Sequence, residues 1–250
     1  MSRVLITAGA SGIGRAMADG FAKAGAQVWV ADVDGAALAD CPENWGRSVL
    51  DVTDEAAVAT LMTEIMGAWG GLDVLCLNAG IAGPTARVQD IALTDWRACV
   101  AVNLDGSFLT AKHAIPLMGS GGSIIVTSST AGQYGYPNRA PYAAAKWAVI
   151  GFMKTLAMEL GPQGIRANAI CPGAVEGPRM EGVLAREAAA KGMTRDQVYH
   201  GYASGTSMQS WVTADDIAAM AVFLGSDAAR LVSGQIIAVD GHTVNPDPKL

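Results

Sequence analysis

Short apolar runs alternate along the chain with longer segments in which apolar residues recur every three to four positions. The runs expected to be β-strands are Arg3–Thr7, Gln27–Ala31, Ser48–Leu50, Asp73–Leu77, Gly122–Thr127, Ile165–Ile170 and Gln235–Asp240. Most of these runs are continuously apolar and do not alternate with polar residues. They therefore predict a seven-stranded parallel sheet that is covered by helices on both faces.

Helical periodicity fills most of the intervals between these runs. The predicted helices are Arg15–Ala24, Thr53–Trp69, Leu93–Met118, an Ala-rich segment that contains Tyr142 and continues to Gly161, and Thr213–Leu224. The segment from Pro172 to Trp211 is less regular, and residues 245–250 are expected to form a loose tail. Because no repeat or linker divides the chain, the sequence predicts one α/β domain over residues 1–250.

A turn of small residues, from Ala8 to Gly14, separates the first predicted strand from the first predicted helix. Glycines at such a turn let the backbone approach a pyrophosphate, and the helix N-terminus supplies N–H groups and a positive dipole end. Asp32 follows the second strand, about where a carboxylate must stand to bind the adenosine ribose hydroxyls. This order predicts a dinucleotide site on a Rossmann-type doubly wound sheet.

Tyr142 and Lys146 stand four residues apart on a predicted helix, so their side chains share one face. An ammonium about 4 Å from the phenol contributes about 4 kcal/mol at an effective dielectric constant near 20. That is enough to bring the pKa of a tyrosine from about 10 to about 7. Ser129 follows the fifth strand and offers a hydroxyl to a substrate oxygen. A Tyr–Lys pair alone is more typical of an ordinary surface helix, so this interpretation depends on the dinucleotide pattern.

Further motifs follow in a fixed order, namely Asp51-Val, Asn78-Ala-Gly80, Asn103 in Val-Asn-Leu-Asp-Gly, Ser129, Tyr142 with Lys146, Pro172-Gly173 and Val239-Asp-Gly241. With the turn after Thr7, they resemble the single-domain short-chain dehydrogenases/reductases along nearly the whole chain. The resemblance implies a catalytic tetrad of Asn103, Ser129, Tyr142 and Lys146. Tyr142 would be the acid/base and Ser129 would hold the substrate oxygen. Lys146 would lower the tyrosine pKa and hold the nicotinamide ribose, and Asn103 would support a water that relays the proton.

The resemblance also implies a set of cofactor contacts. They are Gly9, Ser11, Gly12, Ile13, Gly14, Asp32, Asp51, Val52, Asn78, Ala79, Gly80, Tyr142, Lys146, Pro172, Gly173 and Val175. The Asp32 carboxylate would repel a 2′-phosphate and Val33 offers it no cation, so NAD is the expected cofactor.

Three positions depart from the family pattern. Ala8 stands where the family has a glycine directly after the threonine, Gly177 replaces a threonine, and His242 replaces the last glycine of Asp-Gly-Gly. Alanine tolerates a positive φ poorly. We therefore expect a negative φ at Ala8, with Gly9 supplying the freedom of the turn.

Composition and charge indicate the assembly, the location and the partners to expect for the protein. Only 16% of the residues are charged, against about 25% in average soluble domains, which favours a surface covered by other subunits. We expect a homotetramer, with a dimer as the alternative. The sequence has no apolar run of about 20 residues, no signal peptide and no cluster of Lys and Arg at a net charge of −6. These features predict a cytoplasmic protein that binds neither membrane nor nucleic acid. The cysteines form no CxxC and the histidines are scattered, so no metal site is expected.

The substrate is expected to lie under a lid at residues 178–211, between Arg139 and Arg179. Arginine at a pocket edge can bind an anionic group through two parallel hydrogen bonds. Polar residues from Gln133 to Asn138 favour a small polyol, sugar or hydroxy acid, anionic molecules included, that is oxidised from a secondary alcohol to a ketone. The alternatives are a 3-oxoacyl-carrier reductase, a non-catalytic dinucleotide-binding scaffold and a Rossmann-like methyltransferase.

Overall fold

A seven-stranded parallel sheet runs through the protein, whose structure is a computed structural model that describes residues 2–247, except the side chain of Arg179. The strands are β1 (Arg3–Thr7), β2 (Gln27–Asp32), β3 (Gly46–Val49), β4 (Leu72–Leu77), β5 (Met118–Thr127), β6 (Arg166–Pro172) and β7 (Ile236–Val239). Their order is β3-β2-β1-β4-β5-β6-β7, and all neighbours pair in parallel. The predicted Rossmann-type doubly wound sheet is confirmed.

Helices cover both faces of this sheet. They are α1 (Gly12–Lys23), α2 (Gly35–Ala39), α3 (Glu55–Trp69), α4 (Leu93–Val100), α5 (Gly106–Ala114), α6 (Ala140–Leu160), α7 (Pro178–Lys191), α8 (Arg195–Ser204) and α9 (Ala214–Gly225). Helices α3, α5 and α6 pack on one face, and α1 and α9 pack on the other. Successive residues of β5 therefore enter different cores, and Ile124 and Ile125 are both fully buried. Burial on both faces is why the interior strands are mostly apolar, while the edge strands β3 and β7 remain partly exposed.

The predicted helix from Leu93 to Met118 is interrupted by a π-helical segment at Ala101–Asp105. The side-chain amide of Asn103 donates to the carbonyl of Cys99, at 2.8 Å, and to the carbonyl of Ile81, at 3.0 Å. A regular α-helix would offer the Cys99 carbonyl to the backbone N–H of Asn103. The side chain of Asn103 also donates to this carbonyl, within a π-segment of the kind that often occurs at functional sites.

The lid is helical, so its predicted irregularity is wrong. Helix α7 begins with Pro178 and is followed by Gly192, which has a left-handed φ of 66°. Helix α8 begins with a capping box in which Thr194 and Gln197 bond each other's backbone N–H groups. Both helices bury a small apolar cluster of Leu184, Ala188 and Val198, with Met180, Met193, Tyr199, Tyr202 and Trp211 packed against it.

The described part of the predicted loose tail is bonded to the lid. The backbone N–H of Asn245 donates to the Gly205 carbonyl at 3.0 Å, and Lys191 Nζ contacts Asp247 Oδ1 at 2.6 Å. Lys191 also pairs with Glu187 at 2.7 Å. A chain of polar contacts therefore joins the C-terminal segment to the interior of the lid, and residues 248–250 lie outside the described residues.

Candidate active site

A cavity of about 500 Å³ lies at the carboxyl ends of the strands, where the strand order reverses between β1 and β4. This is the place and size of a ligand site in a doubly wound sheet. The predicted cofactor and catalytic residues that line it are Ser11, Gly12, Ile13, Gly14, Asp32, Asp51, Val52, Asn78, Ala79, Gly80, Ser129, Tyr142, Lys146, Pro172, Gly173 and Val175. Gly9 and Asn103 were also predicted but do not line the cavity.

The end of β5 holds the turn of α6 that carries Lys146. The hydroxyl of Ser128 donates to the Lys146 carbonyl at 2.8 Å, and Lys146 Nζ donates to the Thr127 carbonyl at 2.8 Å. The ammonium lies 5.7 Å from the ring centroid of Tyr142. These two hydrogen bonds thus hold the end of β5 against α6 at the position of Tyr142 and Lys146. Thr127 and Ser128 were not among the predicted site residues, although they immediately precede Ser129 in the sequence.

Ser129 lines the cavity beside this pair, and its Oγ accepts a hydrogen bond from the backbone N–H of Ala131 at 3.1 Å. Because the oxygen accepts that bond, the hydroxyl hydrogen remains for a second partner. The turn after Ser129 packs closely on α6, since a Cβ at Gly132 would lie 2.6 Å from the Lys146 carbonyl oxygen. Ser129 can therefore donate to a substrate oxygen from a fixed position.

Asn103 is fully buried behind the cavity wall at Gly80. A Cβ at position 80 would lie 2.5 Å from Asn103 Oδ1 and 3.2 Å from Lys146 Nζ. Asn103 Oδ1 has no hydrogen-bond partner among the described residues. Gly80 therefore lets a polar oxygen and the ammonium approach the backbone at the same point.

The opposite end of the cavity has the features that a dinucleotide needs. Gly12 has a φ of 52°, and a Cβ there would meet nothing within 4 Å, so the N-terminus of α1 opens towards the cavity. Asp32 is 8% exposed, and its two oxygens accept from the backbone N–H groups of Ala10 and Asp34, both at 3.1 Å. Carboxylate oxygens can accept further bonds. The residues present thus fit a pyrophosphate and an adenosine ribose.

A hydrogen-bond network braces the turn between β1 and α1. Thr7 Oγ1 accepts from the backbone N–H groups of Asn78 and Ala79, at 3.0 and 3.1 Å. Asn78 Nδ2 donates to the carbonyl of Ala8 at 3.2 Å. The side chains at the ends of β1 and β4 thereby fix the shape of the turn. Thr7 was not among the predicted site residues.

The expectation for Ala8 is wrong, because its φ is 49°. Gly9 does not supply the positive φ. A Cβ at Gly9 would lie 2.8 Å from Val30 Cγ1 and 2.9 Å from the Ile6 carbonyl oxygen. Gly9 is thus required by its close contact with β2, and the left-handed conformation falls on the residue before it.

The end of the cavity beside Tyr142 is lined by Arg139, Tyr136 and Tyr202 together with apolar residues of the predicted lid. Arg139 is 9% exposed, and its guanidinium carbon lies 4.8 Å from the ring centroid of Tyr142. Burial raises the pKa of Tyr136 to about 12. Burial, reinforced by Glu187, also raises the pKa of Tyr202, whose hydroxyl donates to that carboxylate at 2.6 Å. Both phenols therefore remain neutral donors at physiological pH.

The polar residues expected near the substrate are only partly there. Gln133, Tyr134 and Asn138 do not line the cavity. The hydroxyl of Tyr134 instead donates to the Thr243 carbonyl at 3.1 Å. The side chain of Arg179 lies outside the described residues, so its expected role stays a prediction.

Known proteins resemble this chain along nearly its whole length. Residues 7–242 match the family model described as enoyl-(acyl carrier protein) reductase. The chain is 40% identical over 247 residues to momilactone A synthase of Oryza sativa subsp. japonica, covering 95% of this chain and 88% of that protein. It is 38% identical over 251 residues to trans-4-hydroxycyclohexanecarboxylate dehydrogenase of Sinomonas cyclohexanicum, covering 95% and 90%. NAD⁺-bound xylitol dehydrogenase superposes with a TM-score of 0.91 at 28% identity, covering 96% of this chain and 98% of that one.

The matched region contains every strand-end residue that lines the cavity, from Ala8 to Val175. Two of these three relatives are by name dehydrogenases of hydroxyl compounds. From the sheet order, the ordered motifs and these relatives, the chain belongs to the short-chain dehydrogenase/reductase family and is an oxidoreductase that acts on CH–OH donors.

Proposed function

We propose that the protein interconverts a secondary alcohol and a ketone on a small polar substrate, with NAD(H) as cofactor and Tyr142 as acid/base. The supporting observation is the lining of one cavity by two groups of residues. Ser129, Tyr142 and Lys146 line one end, and Asp32 lines the other. A single cavity can thus contain a dinucleotide with its nicotinamide beside a proton-transferring tyrosine.

In the proposed reaction a bound nicotinamide would accept a hydride from the alcohol in one direction and donate a hydride to the ketone in the other. Ser129 donates its hydroxyl hydrogen to the substrate oxygen and holds it near Tyr142. Tyr142 takes the alcohol proton, and the nearby Lys146 ammonium stabilises the phenolate that accepts it. Asn103 Oδ1 supports a water that carries the proton onward from Lys146.

The preference for NAD rests on the charge at the ribose end. Asp32 is buried there, and Val33, which follows it, is 66% exposed and carries no charge. The positively charged residues that line the described cavity are Arg139 and Lys146, and both lie beside Tyr142. A 2′-phosphate would therefore meet a carboxylate without a cation. We expect kcat/KM with NAD(H) to exceed that with NADP(H) at least about tenfold, which corresponds to about 1.4 kcal/mol.

The substrate is proposed to be a polyol, a sugar or a hydroxy acid. The support is the polar part of the cavity wall, where Arg139, Tyr136 and Tyr202 lie beside apolar lid residues. The names of two relatives agree, since one acts on a hydroxycyclohexanecarboxylate and another on xylitol. A 3-oxoacyl-carrier reductase is the alternative, but the net charge of −6 and the absence of a Lys/Arg cluster in the sequence oppose docking of an acidic carrier.

The test measures NADH or NADPH fluorescence while the purified protein is mixed with either oxidised cofactor and a panel of secondary alcohols. The panel contains polyols, sugars, hydroxy acids and a 3-hydroxyacyl carrier substrate, and Tyr142→Phe protein is the control. We expect NADH formation with at least one small polar alcohol and none with the control. Equal efficiency with both cofactors would contradict the role of Asp32. Turnover of the acyl carrier alone would favour the alternative.

The proposed setting is a homotetramer in the cytoplasm. Large apolar side chains are exposed on α5 and α6, with Phe108 at 47%, Trp147 at 53% and Met158 at 80%. Within residues 2–247, no helix is long and apolar enough to cross a membrane. Light scattering coupled to size-exclusion chromatography should give four times the chain mass of 25.6 kDa. A mass of one chain would refute the assembly.

A further inference from the structure

Arg139 carries a buried positive charge for which the described residues provide no negative partner. Its Nε makes no hydrogen bond, and no Asp or Glu oxygen in residues 2–247 lies within 4.0 Å of its nitrogens. Arg166 is similarly buried, but its guanidinium donates to the carbonyls of Leu224 and Ser226. An unpaired buried charge is unfavourable unless something else compensates it. The position of Arg139 in the cavity wall indicates that a bound molecule does so.

The surroundings of Arg139 indicate which kind of anion would bind to it. The guanidinium lies over the ring of Tyr142, so its plane is occupied on one side and its N–H groups are available at its edges. Tyr136, which lines the same wall, shares a hydrogen bond of 2.8 Å with Thr130 and is a neutral phenol. A carboxylate matches a guanidinium in shape and in charge, since both are planar and singly charged. A phosphate dianion carries a second negative charge that Arg139 alone would not neutralise.

We propose that Arg139 binds a carboxylate of the substrate, so that the enzyme oxidises a hydroxy acid at a secondary hydroxyl group beside Tyr142. This inference rests on the proposed function and narrows its substrate class. In the reaction the carbinol C–H bond breaks and its hydride passes to the oxidised nicotinamide. The hydroxyl proton passes to Tyr142, and a keto acid forms. The carboxylate is unchanged and serves only to position the hydroxyl.

Arg195 provides a matched control within the lid. Its guanidinium carbon also lies over a tyrosine ring, 4.6 Å from the centroid of Tyr199. Unlike Arg139, it already has an anionic partner, because its Nε donates to Glu181 at 3.1 Å. Replacing either arginine by methionine removes one positive charge and one cation–π contact. Only Arg139→Met removes a charge that lines the cavity.

The experiment compares trans-4-hydroxycyclohexanecarboxylate and 3-hydroxybutyrate with their methyl esters, using the oxidised cofactor that the enzyme prefers. We expect Arg139→Met to lower the acid-to-ester ratio of kcat/KM about tenfold to a hundredfold, mainly through KM for the acid. Arg195→Met should leave this ratio within about threefold. Arg139→Lys keeps the positive charge but cannot form two parallel hydrogen bonds to a carboxylate, so its acid-to-ester ratio should lie between those of the wild type and Arg139→Met. If Arg139→Met does not fold, Arg139→Lys takes its place in the comparison.

A binding measurement separates this inference from the proposed function. Calorimetry with the enzyme and its reduced cofactor should give tighter binding of cyclohexanecarboxylate than of cyclohexanecarboxamide, and Arg139→Met should abolish the difference. Such binding without turnover would retain the carboxylate site and refute the proposed reaction. Equal loss of acid and ester turnover with an altered pH profile would show that Arg139 acts on Tyr142, and it would overturn the inference. Tighter binding of cyclohexyl phosphate than of the carboxylate would also overturn it.

Discussion

The turn between β1 and α1 contains two adjacent small residues, Ala8 and Gly9, with opposite steric requirements. Replacing each of them separately tests the structure of the turn directly. Gly9 cannot accept a side chain, because a Cβ would lie 2.8 Å from Val30 Cγ1 and 2.9 Å from the Ile6 carbonyl oxygen. Ala8 has a side chain but holds a φ of 49°, which L-residues adopt at a cost. We therefore expect Gly9→Ala and Ala8→Gly to change stability in opposite directions.

The size of each change follows from these contacts. The carbonyl oxygen of Ile6 belongs to β1, an interior strand paired on both sides, and cannot move aside, so Gly9→Ala should cost about 1–3 kcal/mol through overpacking. In a protein of this size that lowers Tm by about 2–12 °C. Ala8→Gly relieves about 1–2 kcal/mol of left-handed strain. It also makes the unfolded chain more flexible, which costs about 0.4–1 kcal/mol. The net effect is between zero and about 1.5 kcal/mol of stabilisation.

Thermal unfolding followed by circular dichroism, repeated with urea to obtain free energies, measures both changes. Gly151→Ala is the matched control, because that glycine lies within α6 and a Cβ there would meet nothing within 4 Å. It should stabilise the protein by about 0.5–1 kcal/mol. A wild-type Tm for Gly9→Ala, combined with a clear loss for Ala8→Gly, would show that the flexible position of the turn is Gly9.

Three further variants test the catalytic pair and one surface contact. Tyr142→Phe should abolish turnover while NADH binding, measured by fluorescence titration, stays within about threefold; appreciable activity would refute the acid/base role. Lys146→Ala should weaken both turnover and NADH binding, and an effect on turnover alone would exclude the ribose contact. Arg3 holds the pKa of Asp73 below its usual value through hydrogen bonds, so this pair stabilises the fold above about pH 4 and less as pH falls through the lowered pKa. The Tm difference between Arg3→Met and wild type, at most a few degrees because the pair is partly exposed, should therefore shrink below about pH 4; a constant difference would contradict this linkage.

The sheet could be predicted because its interior strands are buried on both faces and are therefore mostly apolar, whereas the edge strands β3 and β7 are partly exposed. The lid helices also left marks in the sequence, namely Pro178 at a helix start, Gly192 after a helix end and the capping pair Thr194 and Gln197. The segment nevertheless was predicted to be irregular, because its apolar periodicity is weak. The periodicity is weak because the two helices bury only a small apolar cluster. In this segment the residues that begin and end helices were more informative than the hydrophobic pattern.

Other features depend on contacts between distant parts of the chain. The left-handed φ of Ala8 follows from the approach of Gly9 to Val30, twenty-one positions away in the sequence. Asn103, within the π-segment, bonds the carbonyl of Ile81 from a different part of the chain, and the missing partner of Arg139 is visible only once the cavity is formed. Propensity and spacing identify which residues meet at the strand ends, but they do not give the local conformation that such contacts impose.

The polar chain from Asp247 through Lys191 and Glu187 to Tyr202 ends in the cavity wall, so a side chain outside the cavity is joined to one that lines it. A substitution at Asp247 can therefore alter which alcohols fit in the cavity while every residue at the strand ends stays the same.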